Sequence, residues 1–271
     1  MSDAAAVAVA VLDDLRQESD VLDQLVTGPG AGRWGLPPPA ERWTIAHQIA
    51  HLNWTDEAAL LAVTDPESFA REAEKAAARP ESFVDEAADT AVTALSPDAL
   101  LVRWREGRAR LQAALRLAPA GARFPWYGPP MSVASMATGR LMETWAHGQD
   151  IADALGVTRE PTARLRHVAR IGVRARDYAF FVRGMAAPSE PFRVELKDGS
   201  SELVAFGPED APQRVTGPLL DFCLLVTQRA HRDDLGVRAE GADADRWLDI
   251  AQAFAGPAGP GRSPRRGEAG Q

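Results

Sequence analysis

The chain has 271 residues, of which 45% are apolar and 25% are charged, and its formal net charge is −8. This composition is typical of a globular protein with one large domain or two ordinary ones. The acidic residues are scattered along the chain, so the negative charge argues against nucleic acid and against an anionic membrane surface as partners.

The single cysteine, Cys223, excludes an intrachain disulfide and a zinc site built from cysteines. The first residues, MSDAAAVAVAVLDDL, are apolar, but they have no basic segment and acids follow at Asp13 and Asp14. We therefore interpret them as a helix and not as a signal peptide. No apolar run approaches the roughly 18 residues that a membrane span needs. The sequence thus predicts a cytoplasmic protein.

Helical periodicity dominates the chain from residue 3 to about residue 184. Apolar residues of the first helix follow a 3.6-residue repeat until TGPGAGRWGLPPP ends it. A second helix is predicted from the N-cap Thr44 to about Thr64, and short exposed helices are predicted between Asp65 and Leu95.

The third long helix begins after the N-cap Ser96, with a proline at its first helical position. The segment APAGARFPWYGPP predicts a loop. After this loop, Ser132 is expected to cap a fourth long helix, which Gly156 ends. Another helix is predicted from about Thr162 to Gly184.

The pattern changes near residue 187. Alternation over Phe192–Leu196 predicts a strand, KDGS a hairpin turn, and Glu202–Phe206 the returning strand. The remaining predicted elements are two short strands and two helices: RVTG (214–217), Val237–Glu240, Pro218–His231 and Ala242–Phe254.

We therefore predict an α+β fold in two parts. A helical bundle (residues 1–187) precedes a small α/β domain (residues 188–255). The last residues (256–271) are rich in glycine and proline, and their composition predicts a disordered tail.

The fourth long helix contains METWAHGQDIADALG, and its polar residues recur on one side. Glu143, His147 and Asp150 follow one another at steps of four and three, which brings their side chains onto one face. Such a row is either a solvated face or the wall of a site. The spacing alone leaves both interpretations open, because exposed Glu–His pairs are the more common arrangement.

The second helix contains WTIAHQIAHLNW, which places His47, His51 and Trp54 together on a face apart from its apolar residues. A surface helix seldom has two histidines and a tryptophan on its solvated side, so we predict that this helix contacts both a core and a cleft. If His51 faces Glu143 and His147 of the other helix, two imidazoles and a carboxylate meet inside the bundle.

Two neutral imidazoles and a carboxylate are typical ligands of a mononuclear metal site, and three ligands leave one position open for water or substrate. Helical bundles commonly build such sites from facing helices. The expected ion is divalent, Zn²⁺ first, with Ni²⁺ and Fe²⁺ as alternatives. His47 and His51 form a rival HxxxH pair, although Gln48 stands where an HExxH protease has its glutamate.

Three segments, RWTIAHQIAHL, PWYGPPMSVASMATGRLMETWAHGQDIADALG and VTGPLLDFCLLVTQR, resemble the mycothiol-dependent maleylpyruvate isomerase family. This family belongs to the DinB-like superfamily of metal-binding four-helix bundles, and the resemblance covers roughly residues 5 to 255. It depends on W-T before a helical histidine and on a later E-x-W-x-H-x-x-D. It implies a DinB-like four-helix bundle with the metal ligands His51, Glu143 and His147. His47 then lies beside the ligands, as a pocket residue with a catalytic role or as support for a ligand.

The resemblance also implies a catalytic role for Arg229, which matches a family position near the substrate. A guanidinium there would bind a carboxylate through two parallel hydrogen bonds. The alternative is a cation that only interacts with the last carbonyls of its helix. Because small-molecule sites often form where domains meet, we expect the pocket between the two parts, with Arg229 at its rim.

Trp126 and Tyr127 directly precede the helix of the predicted ligands. We expect them, with Trp54, to line the pocket and contact the cosubstrate, although plain loop packing remains open for the two loop residues. Asp150 either supports a ligating histidine or is a surface acid. Cys223 stands among apolar residues and is interpreted as part of the core.

The family's metal ion activates a small-molecule thiol, because a divalent cation lowers the pKa of a bound thiol or water. The resemblance therefore predicts a metal-dependent isomerase or transferase, with mycothiol as cosubstrate and a small, carboxylate-bearing metabolite as substrate, acting as a monomer or homodimer. The abundance of Ala, Arg, Gly and Pro suits a GC-rich, actinobacterial genome. Two alternatives stay open: a thiol-independent Lewis-acid enzyme of specialised metabolism, catalysing hydrolysis, cyclisation or rearrangement, and a non-catalytic metal- or ligand-binding module.

Overall fold

The structure is a computed structural model that describes residues 3–39, 42–79, 82–119, 121–199, 202–259 and 261–265. Two compact units make up the chain, Met1–Arg159 and Glu160–Gln271. Among the described residues, no helix has the length and apolar character that crossing a membrane requires.

The first unit is helical. Its helices are α1 (Asp3–Thr27), α2 (Ile45–Thr64), α3 (Pro66–Ala78), α4 (Phe83–Ala94), α5 (Pro97–Leu117) and α6 (Val133–Leu155). The four long helices pack in a ring, with α1 on α6, α6 on α2, α2 on α5 and α5 on α1. The shorter α3 and α4 pack against α2. This arrangement confirms the predicted four-helix bundle.

Local sequence signals set the ends of these helices. The Oγ of Ser96 accepts a hydrogen bond from the backbone N–H of Ala99 at 3.3 Å. The Oγ of Ser132 accepts one from the backbone N–H of Ser135 at 3.2 Å. Gly156 ends α6 with a φ of 67°, a left-handed conformation that glycine adopts without steric cost. The core of the bundle is formed by buried apolar residues that include Leu22, Ile45, Ile49, Leu52, Leu100, Trp104 and Ile151.

The segment before α6, predicted as a loop, contains two short strands. Arg123–Phe124 (β1) pairs antiparallel with Met131–Ser132 (β2), with Arg123 opposite Ser132. The pairing brings the two ends of the intervening loop together, and this loop contains Trp126 and Tyr127. The strands therefore position the two aromatic residues ahead of α6.

The second unit combines helices with a mixed sheet. Its elements are α7 (Leu165–Arg174), α8 (Arg176–Phe181), β3 (Phe192–Lys197), β4 (Leu203–Phe206), β5 (Gln213–Pro218), α9 (Leu219–Val226), a 3-10 helix (Arg232–Asp234), β6 (Arg238–Glu240) and α10 (Ala242–Ile250). The strand order is β4-β3-β5-β6. Strands β3 and β5 are parallel, and the other neighbours are antiparallel. This unit confirms the predicted α+β class and the hairpin of β3 and β4.

Three predicted helices have different limits in the structure. The predicted helix Thr162–Gly184 is two helices, because the backbone leaves the helical conformation at Ala175 (φ −86°, ψ 4°). The helix predicted to reach His231 ends at Val226. Its end is a Schellman-type turn in which Gln228 has a φ of 58° and the N–H of Arg229 donates to the carbonyl of Leu224 at 2.8 Å. The last helix, α10, ends at Ile250 and not at Phe254.

The division between the units lies earlier than the change of sequence pattern. Helices α7 and α8 group with the sheet because α7 packs closely on α9. A Cβ built on Gly172 of α7 would lie only 2.7 Å from the Cγ2 of Val226. The domain boundary near residue 187 stays a prediction, and so does disorder of the tail, of which residues 260 and 266–271 lie outside the described residues.

Candidate metal centre

The three predicted metal ligands lie together between α2 and α6. The Nε2 of His51 lies 3.3 Å from the Oε2 of Glu143, and the Nε2 of His147 lies 3.2 Å from the same oxygen. One donor atom from each residue falls within 4.8 Å of the other two. Two ligands of a tetrahedral zinc ion, each about 2.0–2.1 Å from it, are about 3.3 Å apart. The donor set and its spacing therefore fit one divalent ion.

The cluster is largely shielded from solvent. The side chains of His51 and His147 are 11% and 10% exposed, and that of Glu143 is 22% exposed. Burial by itself raises the pKa of Glu143, but the hydrogen bonds and charges of His147 and His51 outweigh it and hold this pKa well below its ordinary value. Glu143 is therefore an anion at neutral pH, as a metal ligand must be.

Gln48 orients the ring of His147. Its Oε1 accepts a hydrogen bond from the Nδ1 of His147. Nδ1 therefore carries a proton, and in the neutral imidazole that a bound cation requires, Nε2 would present its lone pair to that ion. Asp150 is buried, and its Oδ2 lies 4.0 Å from the same Nδ1, so the surface-acid interpretation of Asp150 is wrong. The role of Gln48 does not emerge from the sequence, where this residue only stands in the place of the glutamate of an HExxH motif.

His47 is not part of the cluster. Its Nδ1 accepts the backbone N–H of Thr44 at 3.1 Å and lies 2.8 Å from the Oγ1 of Thr44. Its Nε2 lies 3.2 Å from the Oδ1 of Asp89 on α4. His47 therefore closes the first turn of α2 in the manner of a capping box and links α2 to α4. These contacts give the predicted catalytic role no support, and the rival HxxxH pair would require them to break.

Two tryptophans flank the imidazoles. The ring of Trp43 lies 5.4 Å from that of His51 and 5.9 Å from that of His147, with a 22° angle to the latter. Its Nε1 donates to the Oδ1 of Asp85 at 3.1 Å. The ring of Trp54 lies 5.9 Å from that of His51. Trp54 was expected near the site, whereas Trp43 was missed, although it is the tryptophan of the W-T pair that marks the start of α2.

The two loop aromatics approach the cluster through Trp54. The ring of Tyr127 lies 6.1 Å from Trp54 and 5.2 Å from Phe69, and Trp126 stacks on Phe69 at 5.7 Å. The side chain of Tyr127 is only partly buried, but this burial raises its pKa to about 12, and the negative charge of Glu72 adds to the shift. The phenol of Tyr127 is therefore a proton donor at neutral pH, in contact with an aromatic wall and not with the ligand atoms.

Two further residues that the sequence singled out lie in the second unit. Arg229 follows α9 by three residues, and its Nη1 donates to the carbonyl oxygen of Thr227 at 2.6 Å, which agrees with the helix-end alternative. Cys223 is fully buried, and its Sγ lies 3.4 Å from the carbonyl oxygen of Leu165. Burial raises the pKa of its thiol well above the ordinary value. The interpretation of Cys223 as an inert core residue is confirmed.

Comparison with known proteins gives two family matches. Residues 15–152 match the mycothiol maleylpyruvate isomerase N-terminal domain, and residues 188–238 match a wyosine base formation domain. Two uncharacterized proteins from two strains of Mycobacterium tuberculosis are each 59% identical to this chain over 249 residues, which are 92% of this chain and 96% of theirs.

Solved structures share the fold. A crystal structure of the mycothiol-dependent maleylpyruvate isomerase is 19% identical with a TM-score of 0.54, and that of its variant with one histidine replaced by alanine is 20% identical with a TM-score of 0.57. Each comparison covers 86% of this chain and 92% of the solved chain. At these identities the likeness establishes the common fold and nothing about the reaction.

Proposed function

Because the chain belongs to the mycothiol maleylpyruvate isomerase N-terminal domain family, we propose that it is a metal-dependent enzyme that uses a small-molecule thiol, mycothiol, in an isomerisation or thiol transfer. The observation that supports this most strongly is the convergence of His51 and His147 on one carboxylate oxygen of Glu143. Such a set of donors, inside a bundle and largely out of contact with water, is typical of a metal site with an open coordination position.

The residues of this chain prepare the site for a cation. Glu143 contributes a negative charge, because its pKa is held low by the two histidines. Gln48 accepts the Nδ1 proton of His147, which would leave Nε2 to bind the cation through its lone pair. When bound, a divalent ion such as Zn²⁺, or Ni²⁺ or Fe²⁺ with the same donors, would lower the pKa of a thiol or water and so supply a nucleophile at neutral pH.

The thiol of the proposed reaction has to come from outside the protein. Cys223 is the only cysteine in the sequence, it is fully buried, and the raised pKa of its thiol keeps it protonated at neutral pH. Since the thiolate and not the thiol is the nucleophile, Cys223 is unsuited to covalent catalysis. A small-molecule thiol such as mycothiol meets this need.

The aromatic surroundings favour a small substrate with an apolar or unsaturated portion. Trp43 and Trp54 flank the histidines, and Tyr127 contacts Trp54. Flat aromatic walls with a few polar groups are typical of small-molecule sites. Binding of a substrate carboxylate by Arg229 stays a prediction that rests on the family resemblance alone.

Calorimetric titration of the zinc-loaded protein tests this proposal. Mycothiol is compared with S-methyl mycothiol, which keeps the rest of the molecule but has no thiol proton, in buffers of different ionisation enthalpy. We expect mycothiol to bind with the release of about one proton, because a thiol that meets a divalent cation is deprotonated. S-methyl mycothiol should bind much more weakly and release no proton. Glu143→Gln should abolish the difference, and His47→Ala should retain it.

The alternatives give different results in the same experiment. If the zinc-loaded protein binds the two compounds equally, the thiol group does not contact the metal. This result would favour a thiol-independent Lewis-acid enzyme. A protein that takes up no divalent metal at all contradicts the proposal and leaves a ligand-binding module as the better account.

A further inference from the structure

Arg140 and Asp56 form a buried ion pair between the two helices of the predicted ligands. The Nε of Arg140, on α6, donates to the Oδ1 of Asp56, on α2, at 2.8 Å. Their side chains are 3% and 7% exposed. Burial raises the pKa of Asp56 although the charge and hydrogen bond of Arg140 oppose this shift, which indicates how fully the pair is removed from water.

The same guanidinium is connected to the backbone of a predicted ligand. The Nη2 of Arg140 donates to the Oγ1 of Thr55 at 2.6 Å, and this hydroxyl donates to the carbonyl of His51 at 2.9 Å. On α6, Arg140 precedes Glu143 by three residues, so the two share a face of the helix. Arg140 therefore lies one helical turn before Glu143 on α6, and its partners on α2 lie about one turn after His51.

A buried ion pair is a weak source of stability, because the loss of hydration offsets most of the attraction between the charges. Its partners make directional hydrogen bonds, however, and the planar guanidinium fixes both the distance and the angle of its acceptors. The apolar contacts between α2 and α6 are not directional in this way. The pair is thus suited to setting the register of the two helices.

We propose that Arg140 and Asp56 are positioning residues that set the separation of His51 from Glu143 and His147, and thereby the affinity and coordination geometry of the metal site. This inference rests on the proposed function. The reason is geometric: ligand atoms about 3.3 Å apart suit one ion, and a small slide of α2 along α6 would change that spacing without removing a ligand.

The test replaces both charges with apolar side chains of similar size, Arg140→Met with Asp56→Leu. Because neither partner is left unpaired, the double variant should fold with a thermal midpoint close to that of the metal-free wild type. Its zinc affinity, measured by competition with a chromogenic chelator, should fall about ten- to a hundredfold, the range seen when outer partners of metal ligands are lost. The visible spectrum of the Co²⁺-loaded protein should also change, since it reports coordination geometry.

Another buried ion pair provides the matched control. Arg159 pairs with Glu18 of α1, and its Nη1 donates to the carbonyl of Trp145 on α6 at 2.8 Å. These side chains are 11% and 1% exposed. The double variant Arg159→Met with Glu18→Leu removes a comparable pair that joins α6 to α1 and not to α2. We expect its zinc affinity and Co²⁺ spectrum to match those of the wild type.

A milder variant keeps the inference testable if the double variant does not fold. Thr55→Val removes the hydroxyl between Arg140 and His51 and keeps the shape of the side chain. It should lower zinc affinity several-fold. The control is Thr64→Val, which removes a hydroxyl bound to the carbonyl of Leu60 at 2.8 Å at the other end of α2. This control should leave zinc affinity unchanged.

The outcomes separate the two proposals. If the wild type binds zinc, and both the double variant and Thr55→Val bind it with wild-type affinity and the wild-type Co²⁺ spectrum, the positioning role is wrong and the proposed function stands. If the wild type binds no zinc, the proposed function fails first. Reduced affinity in the Arg140 and Thr55 variants, with both controls unaffected, supports the positioning role.

Discussion

The Nε2 of His51 lies 3.3 Å from the Oε2 of Glu143, although 92 positions separate the two residues along the chain. This contact joins α2 to α6 on the inner side of the bundle. Together with His147, one turn after Glu143, it brings three donor atoms to one point.

The purified protein should contain about one divalent metal ion per chain, since the three donors form a single mononuclear site. His51→Ala, Glu143→Ala and His147→Ala should each lose the metal, and His47→Ala should largely keep it, because both of its ring nitrogens contact Thr44 and Asp89 instead. Elemental analysis by mass spectrometry measures the content. Equal loss in His47→Ala, with none in Glu143→Ala, would favour the HxxxH pair and contradict the assignment.

Tyr127 should ionise at about pH 12, because burial and the charge of Glu72 disfavour the phenolate. The sequence has two tyrosines, so in Tyr178→Phe the ultraviolet absorbance of phenolate reports Tyr127 alone. In the unfolded chain the phenol of a tyrosine ionises near pH 10. The contribution of Tyr127 to the free energy of unfolding is therefore complete below pH 10 and is lost as the pH rises towards about 12. A midpoint near pH 10 in the folded protein would show that Tyr127 is not shielded. Phe69→Ala should lower the midpoint.

Gly172→Ala should destabilise the second unit. Alanine ordinarily favours a helix over glycine by up to about 1 kcal/mol, but a Cβ here would lie 2.7 Å from Val226. Overpacking of this kind costs about 1–3 kcal/mol, so the free energy of unfolding in urea should fall. The double variant with Val226→Ala should recover part of the loss.

Gly107→Ala is the matched control for that prediction. The nearest atom to a Cβ at Gly107 is the Oδ1 of Asn53 at 3.5 Å, an ordinary contact. This variant should be as stable as the wild type or slightly more stable. A Gly172→Ala variant that behaves like Gly107→Ala would show that α7 moves away from α9 without cost.

Arg229→Ala should leave metal content unchanged and weaken binding of a carboxylate probe such as maleate. The loss of a hydrogen bond to a charged group costs about 1.5–3 kcal/mol, which is roughly ten- to a hundredfold in affinity. Isothermal titration with maleate measures it. If Arg229 only supports the end of α9 through its bond to Thr227, the variant will instead show a lower thermal midpoint and an unaltered affinity.

Local signals in the sequence determined where several of the long helices begin and where α6 ends. Thr44, Ser96 and Ser132 precede helices that begin where predicted, and Gly156 ends α6 as predicted. Capping depends on atoms within three or four residues, so it can be recognised from a short stretch of sequence. The end of α9 was placed too late because Gln228 adopts a left-handed conformation that glycine or asparagine usually signals.

For the candidate metal site, the sequence determined only which side chains share a face of the same helix. The four-residue step from Glu143 to His147 places both on one face, whatever surrounds the helix. That His51 faces them was implied by resemblance and not by spacing. The partners that orient or flank the ligands, Gln48 and Trp43, did not emerge from the sequence.

Only the tertiary structure decided which faces of α2 and α6 meet and in what register. In the folded chain Arg140 pairs with Asp56, and Asp150 is buried. His47 lies outside the cluster, because both of its ring nitrogens contact other residues. Contacts of this kind join residues far apart in the chain, and their geometry depends on the packing of whole helices. Periodicity predicts which side of a helix is apolar. The helix or strand that packs against that side is determined by the fold as a whole.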